Sequence, residues 1–176
     1  MKFLNYVVLF TLLGFLTSCS VDEPQIEIPT VEVEQRSCLD NVAGQLDIFV
    51  DVMQGQSNGS QTPNNGFVAW NNLLHVLQGC GINVNNQILF YTENGWSCDN
   101  IGGAMDAQAG SPKCENAAIM AAKANCYMRE WRTSGGTDKA ALQSFKTSFC
   151  DMLLAIESCL DIGLNVDGYC NLIGAL

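Results

Sequence analysis

The chain is 176 residues long and carries 18 Asp and Glu against eight Lys and Arg, a formal charge of −10 at neutral pH. That length suits one domain. A surface this acidic, with no basic stripe along the sequence, repels nucleic acid and anionic headgroups, so no nucleic-acid partner is expected.

Met1-Lys2 is a short positive start, and Phe3 to Leu16 is an almost unbroken apolar run. A basic start, an apolar stretch and small residues at a cleavage site describe a secretory signal, read here as residues 1–18. The run is too short to span a bilayer as a helix, which takes roughly 20 apolar residues. Leu16-Thr17-Ser18-Cys19 resembles the lipobox of bacterial lipoproteins. The resemblance covers this N-terminal segment alone. It implies cleavage before Cys19, lipidation of Cys19, and the membrane as a partner through the lipid anchor. Ordinary cleavage after Ser20, with Ser18 and Ser20 as the small pair, is the alternative. Either route leaves eight of the nine cysteines, an even number. Loss of Lys2 leaves seven basic residues against 18 acidic ones, a charge of −11. Stable anchoring takes more than one acyl chain, since a single chain gives only marginal binding.

Residues 19–36 read as the lipidated cysteine and an extended acidic tether. Pro24, Pro29 and five acids favour an extended, self-repelling segment over a packed one. The alternation from Ile26 to Val33 offers an edge strand instead, interrupted by Pro29. Asp22-Glu23 close to Cys19 also resembles the acidic signal that sends some Gram-negative lipoproteins to the outer face of the outer membrane. The expected location is therefore the bacterial cell envelope, lipid-anchored at the outer membrane and, on that resemblance, at the cell surface.

Residues 37–176 form the domain. Leu39, Val42, Leu46, Phe49 and Met53 recur at helical spacing, with Ser37 as N-cap. Gln54 to Gly66, with Asn58-Gly59, Pro63 and Asn65-Gly66, reads as a loop. Phe67, Trp70, Leu74, Leu77 and Cys80 mark a second helix, ended by Gly79 or Gly81. Residues 82–110 are the irregular part, in which Ile88-Leu89-Phe90-Tyr91 is too short to decide between helix and strand. Ser111-Pro112 opens a third helix with the face Ala117, Ala121, Ala124, Met128 and Trp131. Ser134-Gly135-Gly136 is a tight turn. Thr137 caps a fourth helix with the stripe Leu142, Phe145, Phe149, Met152, Leu153, Ile156 and Leu160, and residues 161–176 add a short C-terminal helix. The fold class is an all-α, disulfide-stapled bundle of about four main helices plus that short one.

The remaining cysteines are Cys38, Cys80, Cys98, Cys114, Cys126, Cys150, Cys159 and Cys170. No Cys-x-x-Cys occurs, so zinc-ribbon, thioredoxin-like and haem-attachment readings lack their basic unit. An even number in an exported chain points to four structural disulfides, among 105 connectivities that sequence alone does not choose between. The short turn between the third and fourth helices makes these antiparallel neighbours. Counting back from it sets Cys114 and Cys159 at similar heights, which suggests that one pair.

Chemistry-bearing constellations are sparse, and no catalytic residue, metal site or cofactor is expected. His75, the one histidine, flanks an apolar stripe and reads as structural or solvated; a general base would need a carboxylate in reach. No Gly-x-Ser-x-Gly, P-loop or dinucleotide fingerprint is present. Asp40, Asp47 and Asp51 share a helix face, which reads as a solvated acidic surface or a site for a cation or basic partner. Asn165-Val166-Asp167-Gly168 resembles part of an EF-hand or dockerin calcium loop, but Gly163 and Gly174 stand where that pattern needs carboxylates; a turn before the last helix accounts for it. The segment of Tyr91, Glu93, Trp96 and Asp99 lies in a connection far longer than usual, and such loops are often functional. Its aromatics suit a sugar ring or a protein partner, or else they roof the core.

The expected function is therefore a membrane-anchored exported lipoprotein with a non-enzymatic binding or surface-interaction role toward an unknown protein or glycan. Two alternatives stand beside it. One is an inhibitor or immunity-type protein that binds an envelope or foreign protein. The other is a small envelope hydrolase using carboxylates such as Glu93 and Asp99.

Overall fold

The apolar repeat beginning at Leu39 winds into helix α1 (Thr30–Ser57), which buries Val42, Leu46, Phe49 and Met53. The computed structural model describes residues 30–102 and 113–176; the signal segment, Cys19, the tether up to Pro29 and the Ser111-Pro112 helix start lie outside them. Helix α1 begins seven residues before Ser37, which sits inside it, exposed, rather than capping it. Residues 30–36 are thus helical, not an extended tether, and residues 30–33 are not an edge strand. The physical reason is that a proline disfavours helix upstream of itself and not downstream, so the chain after Pro29 is free to join the helix.

Helix α2 (Pro63–Gly79) starts at the proline; the Thr62 hydroxyl oxygen accepts from the Asn65 amide at 3.2 Å. The connection from α1 is therefore residues 58–62 and not the whole stretch 54–66. Asn65-Gly66, a turn signal in sequence, lies within α2 for a packing reason. A Cβ on Gly66 would stand 2.9 Å from the Met53 sulfur and 3.6 Å from the Trp131 ring, so glycine lets α2 approach its neighbours closely.

The segment 82–110 contains helix α3 (Val84–Glu93) and a 3-10 turn, Cys98–Asn100. Ile88–Tyr91 is helical. Helices α4 (Lys113–Thr133) and α5 (Lys139–Leu160) follow, then α6 (Val166–Gly174). Among the described residues there is no strand, and the architecture is all-α. Gly135 and Gly136 take positive φ in the turn between α4 and α5. Asp138, not Thr137, caps α5: its carboxylate accepts from the Ala141 amide at 2.9 Å, while the Thr137 hydroxyl donates to the Ser134 carbonyl. Two capping residues in a row leave the choice to backbone geometry.

All five expected α4 residues, Ala117, Ala121, Ala124, Met128 and Trp131, are buried, as are Phe145, Phe149, Met152, Leu153 and Ile156 of α5. Small side chains on α4 let α5 lie close against it. The centre is an aromatic cluster of Phe49, Trp70, Phe145 and Phe149, with ring centroids 5.3 to 6.3 Å apart. Such tilted and edge-on pairs add to the large apolar area each ring buries.

Four disulfides staple the bundle: Cys38–Cys80 joins α1 to the end of α2, Cys98–Cys126 joins the 3-10 turn to α4, Cys114–Cys159 joins the start of α4 to the end of α5, and Cys150–Cys170 joins α5 to α6. The pair expected from the antiparallel geometry, Cys114–Cys159, is present. Each bridge contributes about 2–4 kcal/mol by restricting the unfolded chain. No helix among the described residues is long and apolar enough to cross a membrane.

Candidate functional site

Helix α3 joins the main core only through Val84 and Ile88 at its N-terminal end. It lies across α4, and beneath it Tyr91, Ile101, Ile119 and Ala122 form a second, smaller buried cluster. The Cys98–Cys126 disulfide and a hydrogen bond from the Tyr127 hydroxyl to the Asp99 carboxylate fasten the chain after α3 to the same helix. Between α3, residues 96–101 and α4 this leaves a cleft of about 730 Å³.

The four residues singled out in the sequence part company here. Tyr91 and Trp96 both line the cleft, their rings edge-on with centroids 5.5 Å apart. Tyr91 is 6% exposed and roofs the small cluster, whereas Trp96 keeps 37% of its surface in water. Glu93 and Asp99 are exposed and do not line the cleft. Asp99 instead holds Tyr127, whose hydroxyl is pushed up to about 12 by burial first and then by that carboxylate. Burial likewise raises Tyr91, so both phenols stay protonated at neutral pH.

Most of the cleft's polar groups come from α4 and the turn after it, among them Asn125, Arg129, Glu130 and Asp138, with Thr92 contributed by α3. Asn125 is 5% exposed, and its side-chain oxygen accepts from the Trp70 indole N–H at 3.0 Å. That bond leaves its amide nitrogen for other partners. The Glu130 carboxylate comes within 4.8 Å of the Cys98 and Cys126 sulfurs. Because those sulfurs are joined to each other, the trio offers no thiolate to a metal. The Asp138 carboxylate is already spent as the cap of α5.

Ile88, Asn125 and Arg129 also line a second groove of about 530 Å³ on the α2 side, into which His75 projects from α2. Sequence reasoning missed these α4 residues. Arg129 and Arg132 fall off the apolar stripe of α4 and carry no motif; their spacing of three, which sets both on one helix face, was the available signal. The other expected features resolve simply. Asp40, Asp47 and Asp51 are exposed on α1, with Asp47 accepting from the Tyr169 hydroxyl at 2.9 Å. Asn165 caps α6 through the Gly168 amide at 3.1 Å.

No family model, curated protein or solved structure matches this chain.

Proposed function

We propose that this chain is a lipid-anchored binding module of a bacterial cell envelope, tethered through Cys19, and that its ligand enters the cleft between α3 and α4. The observation that carries the reading is the cleft itself, in which a half-exposed Trp96 and a buried, hydrogen-bonded Asn125 line one concavity. Concave sites with apolar walls and a few placed polar groups are the usual form of small-ligand sites. An indole face held by a neighbouring ring suits a sugar ring. Disulfide stapling suits an exported domain.

The carboxylate-hydrolase alternative has less support. Glu93 and Asp99 lie off the cleft, and of the two acids that line it Asp138 is engaged as a helix cap. The test is a glycan panel probed with the exported chain and its Trp96→Ala variant, alongside palmitate labelling of wild type and Cys19→Ala. The expected result is saccharide binding lost in Trp96→Ala at unchanged unfolding midpoint, and label lost in Cys19→Ala. A Trp96→Ala protein that folds and keeps every interaction would remove the cleft from consideration; label retained by Cys19→Ala would remove the anchor.

A further inference from the structure

The groove on the α2 side of the cleft has a composition at odds with the rest of the molecule. The chain has 18 acids, eight basic residues and one histidine. Yet Arg129, Arg132 and His75 line this one groove together with Asn71, Asn85 and Asn125, and no carboxylate is among its lining residues. Among the described residues neither guanidinium is held in an ion pair. Arg132 lies with its guanidinium carbon 4.1 Å from the centre of the Phe67 ring, a cation–π contact that holds the group at the groove wall without using a hydrogen-bond acceptor. Two like charges in one concavity of an acidic protein repel each other unless an anion joins them, and arginine's planar fork matches a carboxylate in particular.

We infer that this groove binds the carboxylate of an acidic sugar, and that the ligand of the proposed binding module is a uronic-acid-containing saccharide. The inference rests on the reading of the cleft as a binding site, since groove and cleft are neighbours that share Ile88, Asn125 and Arg129 as lining residues. A uronide presents one carboxylate among several hydroxyls. The Asn71 and Asn85 amides, which can donate and accept, and the Asn125 amide nitrogen, which can donate, answer those hydroxyls, and Trp96 in the adjoining cleft offers a ring face to the next sugar. A densely charged polyanion would have to lie along the acidic surface outside the groove, where it is repelled. A compact carboxylate does not, because charges beyond about 8 Å are screened at physiological salt.

The experiment is an NMR titration of the full exported chain, disulfides oxidised, following the Arg129 and Arg132 side-chain N–H signals and the Trp96 indole N–H. The probes are oligomers of galacturonate, glucuronate-containing hyaluronan and alginate, with trigalacturonate methyl ester as the neutral control and triglutamate as the acidic peptide. The expected result is that at least one uronide moves both arginine signals. Methyl esterification and Arg129→Gln should then each weaken binding about tenfold to a hundredfold, the scale of losing a charge-assisted hydrogen bond. Arginine signals unmoved by every uronide overturn the inference, as does equal binding of the methyl ester or a preference for triglutamate. A response at Trp96 without one at the arginines leaves the cleft reading standing and removes the acidic-sugar inference. Arginines responding while Trp96 stays silent keep the groove and count against the cleft.

Discussion

Around Phe49, Trp70, Phe145 and Phe149 every ring is shut off from water, and residues of α1, α2 and α5 meet face to face. Around Tyr91 only Ile101, Ile119 and Ala122 are buried with it, while Leu89, Phe90 and Trp96 beside it are 55%, 51% and 37% exposed. The first region has enough apolar area to order itself. The second covers too little to do so and relies on a covalent bridge, Cys98–Cys126, and one side-chain hydrogen bond, Tyr127 to Asp99. The comparison teaches where a small stapled domain can keep an opening. The cleft lies over the region whose order comes from cross-links, because a region ordered by close packing leaves no such space.

The largest effect should come from the core. Phe145→Ala removes a fully buried ring at the centre of the aromatic cluster and should cost about 3–5 kcal/mol. Urea unfolding with disulfides intact measures it; a loss below about 1 kcal/mol, the size of a surface change, would show that the disulfides rather than the rings hold the core.

Removing the Cys98–Cys126 bridge as a double alanine variant should cost about 2–4 kcal/mol. The loss should be local: amide hydrogen exchange should quicken across residues 84–102 and stay slow in α5. Equal acceleration in both regions would mean that the bridge holds the whole bundle and not the region around Tyr91 in particular.

The smallest effect belongs to Tyr127→Phe, about 1 kcal/mol for one hydrogen bond. Its pH signature is more telling than its size. The folded-state value is raised from 10.0 to about 12, so the protonated phenol's contribution is fully present below pH 10 and is lost as pH rises through 12. Wild type should therefore lose its advantage over Tyr127→Phe on going from about pH 9 to pH 12, read from unfolding midpoints. A constant difference across that range would mean that Tyr127 is not held through its proton by Asp99.

Much of this fold was legible in the amino-acid order because helix faces repeat locally. The stripes of α1, α2, α4 and α5 are spacings of three and four, and burial follows them almost residue for residue. One disulfide, Cys114–Cys159, followed from the short turn that sets α4 and α5 antiparallel. Helix starts were less legible. Ser37, Thr137 and the Asn65-Gly66 pair have side chains that suit a cap or a turn, and at each the backbone used another residue or another purpose. A residue's suitability for a cap is a local property, whereas the choice among adjacent candidates depends on what the helix packs against.

The candidate site divides along the same line. Tyr91 and Trp96 stood out in sequence because aromatics in a long connection are conspicuous, and both line the cleft. Glu93 and Asp99 stood out as acids beside those aromatics and lie off it, because α3 turns residue 93 to solvent and Tyr127 claims Asp99.

By itself the sequence determined the helical class, the four main apolar faces, the even set of cysteines in the domain and the acidic balance of the chain. These are sums and periodicities, which need no knowledge of distant neighbours. Only the tertiary structure decided three of the four cysteine pairs, the docking of α3 onto α4, and the gathering of His75, Arg129 and Arg132 around one groove. The physical reason is that these features join residues on different helices, and the packing of one helix on another, not the order along the chain, sets what meets there.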